Sequence, residues 1–93
     1  MAFKYNVSDK LKEKLKNFLK KDKRLLVQLH KKIEEVIARD SETIDFYKNL
    51  RTPMEEYKRV QVGHFVLIFH VDKKLNEILF QDFDHHDNIY DKK

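Results

Sequence analysis

The chain has 93 residues, 41% of them apolar and 39% charged, and it contains no cysteine. A length of this order holds one core, so residues 1–93 are read as a single domain, and the charge density excludes a membrane span. Without cysteine there is neither a disulfide framework nor a thiolate metal site, and the opening MAFKYNVSDK lacks the apolar run of a signal peptide. The expected location is therefore the cytoplasm.

The net charge of +4 is unevenly spread. Residues 1–39 carry 12 basic and 5 acidic groups, whereas residues 40–93 carry 8 basic and 11 acidic groups. A basic half attracts polyanions or acidic partners through salt-sensitive fields, and lysines also simply solvate the outer faces of helices.

In chain order, Phe3, Tyr5 and Val7 alternate with Lys4 and Asn6, as a short half-buried strand does. Ser8 and Asp9 are candidate caps for the helix that follows, in which Leu11, Leu15, Phe18 and Leu19 form one apolar stripe. Asp22 is placed to cap a second helix, where Leu25, Leu26, Leu29, Ile33, Val36 and Ile37 keep the helical period to about Arg39. Two adjacent amphipathic helices with so short a link predict an antiparallel hairpin. Residues 40–56 hold the only proline and are the least regular part, anchored by Ile44, Phe46, Tyr47 and Leu50.

Three β-branched and aromatic runs then follow, Val60–Val62, Phe65–Val71 and Ile78–Phe83, separated by Gly63 and by Asp72–Asn76. With Gly63-His64 as a two-residue loop, Val62 faces Phe65 and Val60 faces Leu67. The period of two places Val60, Val62, Phe65, Leu67 and Phe69 on an apolar face that receives the helices. Tyr57, Arg59, Gln61, Val66, Ile68 and His70 fall on the other, mixed face, expected to be open. The prediction is an α+β fold: an N-terminal strand and a two-helix antiparallel hairpin packed on one face of a mostly antiparallel four-stranded sheet.

Three stretches carry a family resemblance. Tyr47-Lys48-Asn49-Leu50 leads into the sheet, Arg59-Val60-Gln61-Val62-Gly63 followed by Phe65–Phe69 forms the hairpin, and His86-Asp87-Asn88-Ile89-Tyr90 closes the chain. In that order, after a helical hairpin, they resemble the RelE/ParE superfamily of bacterial and archaeal toxins. Val66 stands where the RelE branch has an arginine, so the likeness is greater to the YafQ-like branch. That branch carries a histidine where Gln61 stands here.

The resemblance implies a RelE-like fold and the toxin of a type II toxin–antitoxin pair, an mRNA endonuclease that is ribosome-dependent or free; the alternatives are a ParE-like or inactive relative acting by binding gyrase or an antitoxin, and an RNA-binding module without catalysis. Its partners would be a cognate antitoxin protein, mRNA and the ribosome, with no cofactor. If the 2′-hydroxyl of the RNA attacks the adjacent phosphate, the protein must help remove one proton, stabilise the phosphorane and protonate the 5′-oxygen. By this resemblance His86 takes the terminal catalytic position, Tyr90 the closing aromatic and Arg59 the basic position of the hairpin. His64 completes the catalytic set, with His70 as a further candidate base. Lys48, Arg51, Lys58, Gln61 and His85 are the candidate RNA contacts. Asp82, Asp84, Asp87 and Asp91 surround the histidine pair, favouring the imidazolium yet repelling a phosphate, so Arg51, Lys58 and Arg59 would have to offset them. A zinc site from Asp84, His85, His86 and Asp87 is disfavoured, because neighbouring residues on an extended chain diverge.

Overall fold

The computed structural model describes residues 3–90, with side chains described for residues 3–89. Strand β1 (Lys4–Val7) leads into helices α1 (Asp9–Lys21) and α2 (Lys23–Ile37); β2 (Tyr57–Val62), β3 (Phe65–Asp72), β4 (Glu77–His85) and the short α3 (His86–Tyr90) follow. The helical caps are local and legible. Ser8 Oγ accepts the Leu11 N–H at 3.1 Å and donates to the Gln81 carbonyl at 2.5 Å, joining the start of α1 to the sheet. Asp22 serves both helices: its backbone N–H donates to Phe18 O at 2.8 Å, and its carboxylate accepts the Leu25 N–H at 3.0 Å. A single residue thus ends α1 and starts α2, which forces the chain to reverse.

The sheet order is β1-β4-β3-β2, with β1 parallel to β4 and the other two pairings antiparallel. Val62 faces Phe65 and Val60 faces Leu67, as the two-residue loop requires. Gly63 has φ +62° while His64 does not share the positive φ, the pattern of a type II′ turn, which wants glycine at its first loop position. The helical hairpin covers the apolar face. Leu11, Leu25, Leu29, Ile33 and Val36 meet Val62, Leu67, Phe69, Ile78, Phe80 and Phe83, and Ile44 and Tyr47 close the core from the 40–56 segment. Leu19 departs from the predicted stripe: at 57% exposure it lies outside the core, as does Phe46 at 72%.

Strand β4 solves a problem its sequence poses. Phe80 and Phe83 are three apart, so a regular strand would send them to opposite faces. A register shift leaves Gln81 as an extra residue between Phe80 (opposite Phe69) and Asp82 (opposite Ile68), so both phenylalanines reach the core. The same shift puts Asp82 and Asp84 on the second face, opposite Ile68 and Val66.

That second face is not the open surface expected. Val66 and Ile68 are 1% and 4% exposed. Helix α3 turns back at the end of β4 and packs on β3 and β4, covering this half of the sheet. Among the described residues, no helix is long and apolar enough to cross a membrane.

Candidate functional site

The histidines gather where the β2–β3 loop meets the end of β4. The backbone N–H of His86 donates to His64 O at 2.9 Å, fastening the start of α3 to the hairpin loop. The rings of His64 and His85 stack with centroids 6.4 Å apart, and His85 meets Phe65 edge-on at 5.5 Å. His85 lies opposite Phe65, so it belongs to the helix-bearing side of the sheet. Its Nδ1 accepts the Asp87 N–H at 3.3 Å. The Asp87 carboxylate stands 3.8 Å from His85 Nδ1 and 3.7 Å from His86 Nδ1, so one acid serves both rings. About half of the His86 side chain is exposed to solvent. Tyr90 ends α3, but its side chain lies outside the described residues, as does Asp91.

The aspartates of β4 have a different occupation. Strand β1 ends at Val7, so beyond Phe80 the outer edge of β4 has no neighbouring strand. Each aspartate caps the next exposed amide: Asp82 Oδ1 accepts the Phe83 N–H at 2.8 Å, and Asp84 Oδ1 the His85 N–H at 2.7 Å. Lys14 reaches over this edge from α1, 2.7 Å from Asp82 and 3.0 Å from Asp84, and Lys10 adds a contact of 3.1 Å to Asp82. Asn88 of α3 donates to Asp84 at 2.9 Å. Burial alone would raise the Asp84 pKa; the hydrogen bonds from Asn88, Lys14 and the His85 amide outweigh it and hold the group down to about 2. Asp82 is likewise lowered, against its burial, by Lys14 and Lys10. Burial opposes charge on Lys14, but its two carboxylate partners win and raise its pKa. The repulsion expected between these acids and a phosphate is therefore met by Lys14 and Lys10, two lysines of the basic half.

The cations of the candidate set part company at β2. Lys58 faces the core side, is 8% exposed, and donates to Tyr47 O and Asn49 Oδ1, both at 3.0 Å, with Asp45 at 3.3 Å. Three acceptors occupy its ammonium, so Lys58 leaves the set of RNA contacts. It is a strut that fixes the 45–49 segment to the sheet. Arg59, one residue on, is half-buried on the opposite face, and its backbone N–H donates to Lys48 O at 2.9 Å. Leu50 N–H donates to Tyr57 O at 2.8 Å, extending this short pairing along the outer edge of β2. Lys48 and Arg51 are both exposed.

Arg51 and Arg59 line a cleft of about 520 Å³ together with Leu50, Pro53, Met54 and Ile89. Ile89 is three residues after His86, so the two share a side of α3. This brings Arg51, Arg59 and the His86-bearing helix into one neighbourhood. Gln61 lies exposed on the β2 edge, its amide donating to Gly63 O at 2.9 Å. His70 is not brought in. It sits five residues along β3 from Phe65, roughly 16 Å at strand spacing, against Tyr57. The cleft wall of Pro53, Met54 and Ile89 went unnoticed in the sequence, where nothing in their spacing marks them. Among the described residues, no group of three or more histidines and carboxylates could hold a metal ion.

A sheet that carries a helical hairpin on one face and a short histidine-headed helix at the other places the molecule among RelE/ParE-type folds. Among solved structures, YafQ of E. coli superposes with a TM-score of 0.74 at 14% identity, over 95% of this chain and 98% of that one. A chain of the RelBE2 toxin–antitoxin complex of Mycobacterium tuberculosis gives a TM-score of 0.65 at 16% identity, over 92% of this chain and 100% of that one. Sequence relatives narrow the class. The chain is 45% identical over 86 residues to "Putative toxin RelE4" of Methanocaldococcus jannaschii, covering 91% of this chain and 84% of that protein. It is 36% identical over 85 residues to an uncharacterized protein of Methanosarcina mazei, covering 90% and 94%. No protein-family model matches the sequence. The chain belongs to the RelE family of toxins of toxin–antitoxin systems.

Proposed function

We propose that the protein is an mRNA endoribonuclease, the toxin of a pair whose other member is a protein antitoxin. The observation that carries this reading is that the helix His86 heads borders, through Ile89, the cleft that Arg59 lines. An exposed imidazole heads a short helix whose next turn walls the cleft that Arg51 and Arg59 line. Guanidinium groups suit a phosphate through charge-assisted hydrogen bonds, and imidazole suits proton transfer near neutral pH. In the proposed step the 2′-oxygen forms a bond to phosphorus as its proton leaves, and the bond from phosphorus to the 5′-oxygen breaks. His86, as imidazolium, donates the proton the leaving oxygen needs; Arg59 faces the phosphorane charge. The products are a 2′,3′-cyclic phosphate and a 5′-hydroxyl. His64 supplies the second imidazole at this end and is assigned the base. His85 positions the end of β4, and Tyr90 is assigned to base stacking. Lys48 and Arg51 extend the cationic rim along the RNA, with Gln61 as a neutral contact on the β2 edge.

The family membership and the toxin–antitoxin complex of the M. tuberculosis neighbour support an antitoxin as partner. Exposed lysines of α1 and α2 suit ribosomal RNA and, in the silenced state, acidic antitoxin side chains. The cytoplasm, where mRNA is translated, is the corresponding location.

One observation favours a second reading, in which the protein acts only by binding another protein. Gln61 stands where the YafQ-like branch has a histidine, and its amide is turned to Gly63 O. Purified protein added to translating ribosomes and to free RNA separates the two. Cleavage that disappears in a folded His86→Ala variant supports the nuclease. Absence of cleavage together with poisoning of a topoisomerase supports the binder.

A further inference from the structure

The cleft beside α3 has a chemistry of its own. Its volume of about 520 Å³ falls within the range of about 300–1,000 Å³ typical of small-molecule sites, enough for one nucleotide and too little for a stacked helix. Leu50, Pro53, Met54 and Ile89 give it apolar walls, Arg51 and Arg59 give it two guanidinium groups, and among the described residues no carboxylate side chain lines it. The depression around Lys58 differs, for its lysines, Lys58, Lys73 and Lys74, share it with the carboxylates of Asp45, Glu56 and Asp72. Apolar walls with flat cations are what an unstacked nucleobase and its phosphate need. In-line attack by a 2′-hydroxyl also requires a geometry that a stacked A-form strand does not offer, so a base beside the scissile phosphate has to be held out of the stack.

We propose that this cleft is a nucleobase subsite. It takes the base adjacent to the scissile phosphate between Met54 and Ile89, with Arg51 on the flanking phosphate, and Met54 is a specificity-determining residue. The proposal rests on the RNA-cleaving reading above and adds where the substrate is gripped and by what.

The test is methyl NMR on the full chain labelled at methionine and isoleucine methyl groups, titrated separately with AMP, GMP, CMP, UMP and inorganic phosphate. At least one nucleotide should shift the Met54 and Ile89 methyl signals in a saturable way, whereas phosphate should not. Met54→Ala should weaken that nucleotide's binding at least fivefold. It should also change, at least fivefold, the ratio of cleavage rates between RNAs that differ only at the base beside the cut. Met54 is 41% exposed, so this variant should fold; the Ile89 shifts in the unsubstituted chain test the subsite independently of it. Silence at both methyls with all four nucleotides overturns the subsite, as does an equal response to phosphate. A response to an acetylated Leu-Asp-Leu peptide but to no nucleotide also overturns it and assigns the cleft to a protein partner. Cleavage that is lost in His86→Ala while the methyl signals stay silent refutes the subsite and leaves the nuclease standing. Nucleotide-specific shifts in a protein that cleaves no RNA do the reverse.

Discussion

On the core side of β2, the ammonium of Lys58 is held by Tyr47 O, Asn49 and Asp45 and barely meets solvent. On the other side, the half-buried Arg59 lines a cleft with the exposed Arg51. These are adjacent residues of the same charge, and the pleat sends them to opposite faces. A second pair of neighbourhoods repeats the contrast with acids. Asp82 and Asp84 cap the amides of an edge that β1 leaves unpaired and are met by Lys14 and Lys10, while Asp87, the second residue of α3, faces two imidazoles. Residue type says little about role here; the face and the edge decide which charges are tied into the sheet's own contacts and which line a cleft.

The sharpest way to break this division is at His86. His86→Ala should lower RNA cleavage by about 10²–10⁴-fold, the usual worth of a positioned acid or base, with an unchanged circular dichroism spectrum and melting temperature. A melting temperature that falls along with activity would move His86 to the structural side. The paired substitutions Lys58→Met and Arg59→Met test the face directly. Lys58→Met takes a donor from Tyr47 O and Asn49 and should cost about 2 kcal/mol in urea unfolding, since the half-exposed Asp45 keeps its second partner, Lys73, at 2.7 Å. Arg59→Met should weaken RNA binding and its salt dependence, with a smaller loss of stability than Lys58→Met. Equal losses of stability in the two variants would erase the distinction.

Acid should reveal the structural carboxylates. The folded pKa of Asp84 is depressed to about 2, and that of Asp82 is also lowered. With an unfolded value near ~3.9, Asp84 contributes its full stabilisation above about pH 4 and loses it as the pH falls toward 2. After allowance for solvent screening, the Asp84 share is on the order of 1 kcal/mol. Urea midpoints measured from pH 5 to pH 2 should drop more steeply for the unsubstituted chain than for Asp84→Asn. Parallel curves would mean that the Lys14 contacts are surface pairs of no consequence. The smallest effect belongs to Leu19→Lys. Although Leu19 continues an apolar helical stripe, it is exposed, and the change should stay within ~0.5 kcal/mol.

Much of the fold was legible because it is local. Ser8 and Asp22 are caps whose partners lie three residues on, and the period of two across Gly63-His64 gives both hairpin register and the face that meets the helices. The bulge at Gln81 could have been read from the spacing of Phe80 and Phe83, but only once both were known to belong to one core. The candidate site was legible in part. His86 and Arg59 were singled out by family resemblance, whereas nothing along the chain shows that the ammonium of Lys58, expected among the RNA contacts, is taken up by Tyr47 O, Asn49 and Asp45.

What the sequence alone determined, then, is everything set within a few residues: helix ends, strand alternation, the tight turn and the element order of an α+β chain. Only the tertiary structure decided that α3 folds back over Val66 and Ile68, that Lys14 crosses seventy residues of chain to Asp84, and that residues 49–54 meet Ile89 to make a cleft. The reason is physical. Backbone capping and side-chain period are short-range and act wherever their residues stand, whereas burial and ion pairing depend on which surfaces the packed elements bring together, and no spacing along the chain encodes that directly.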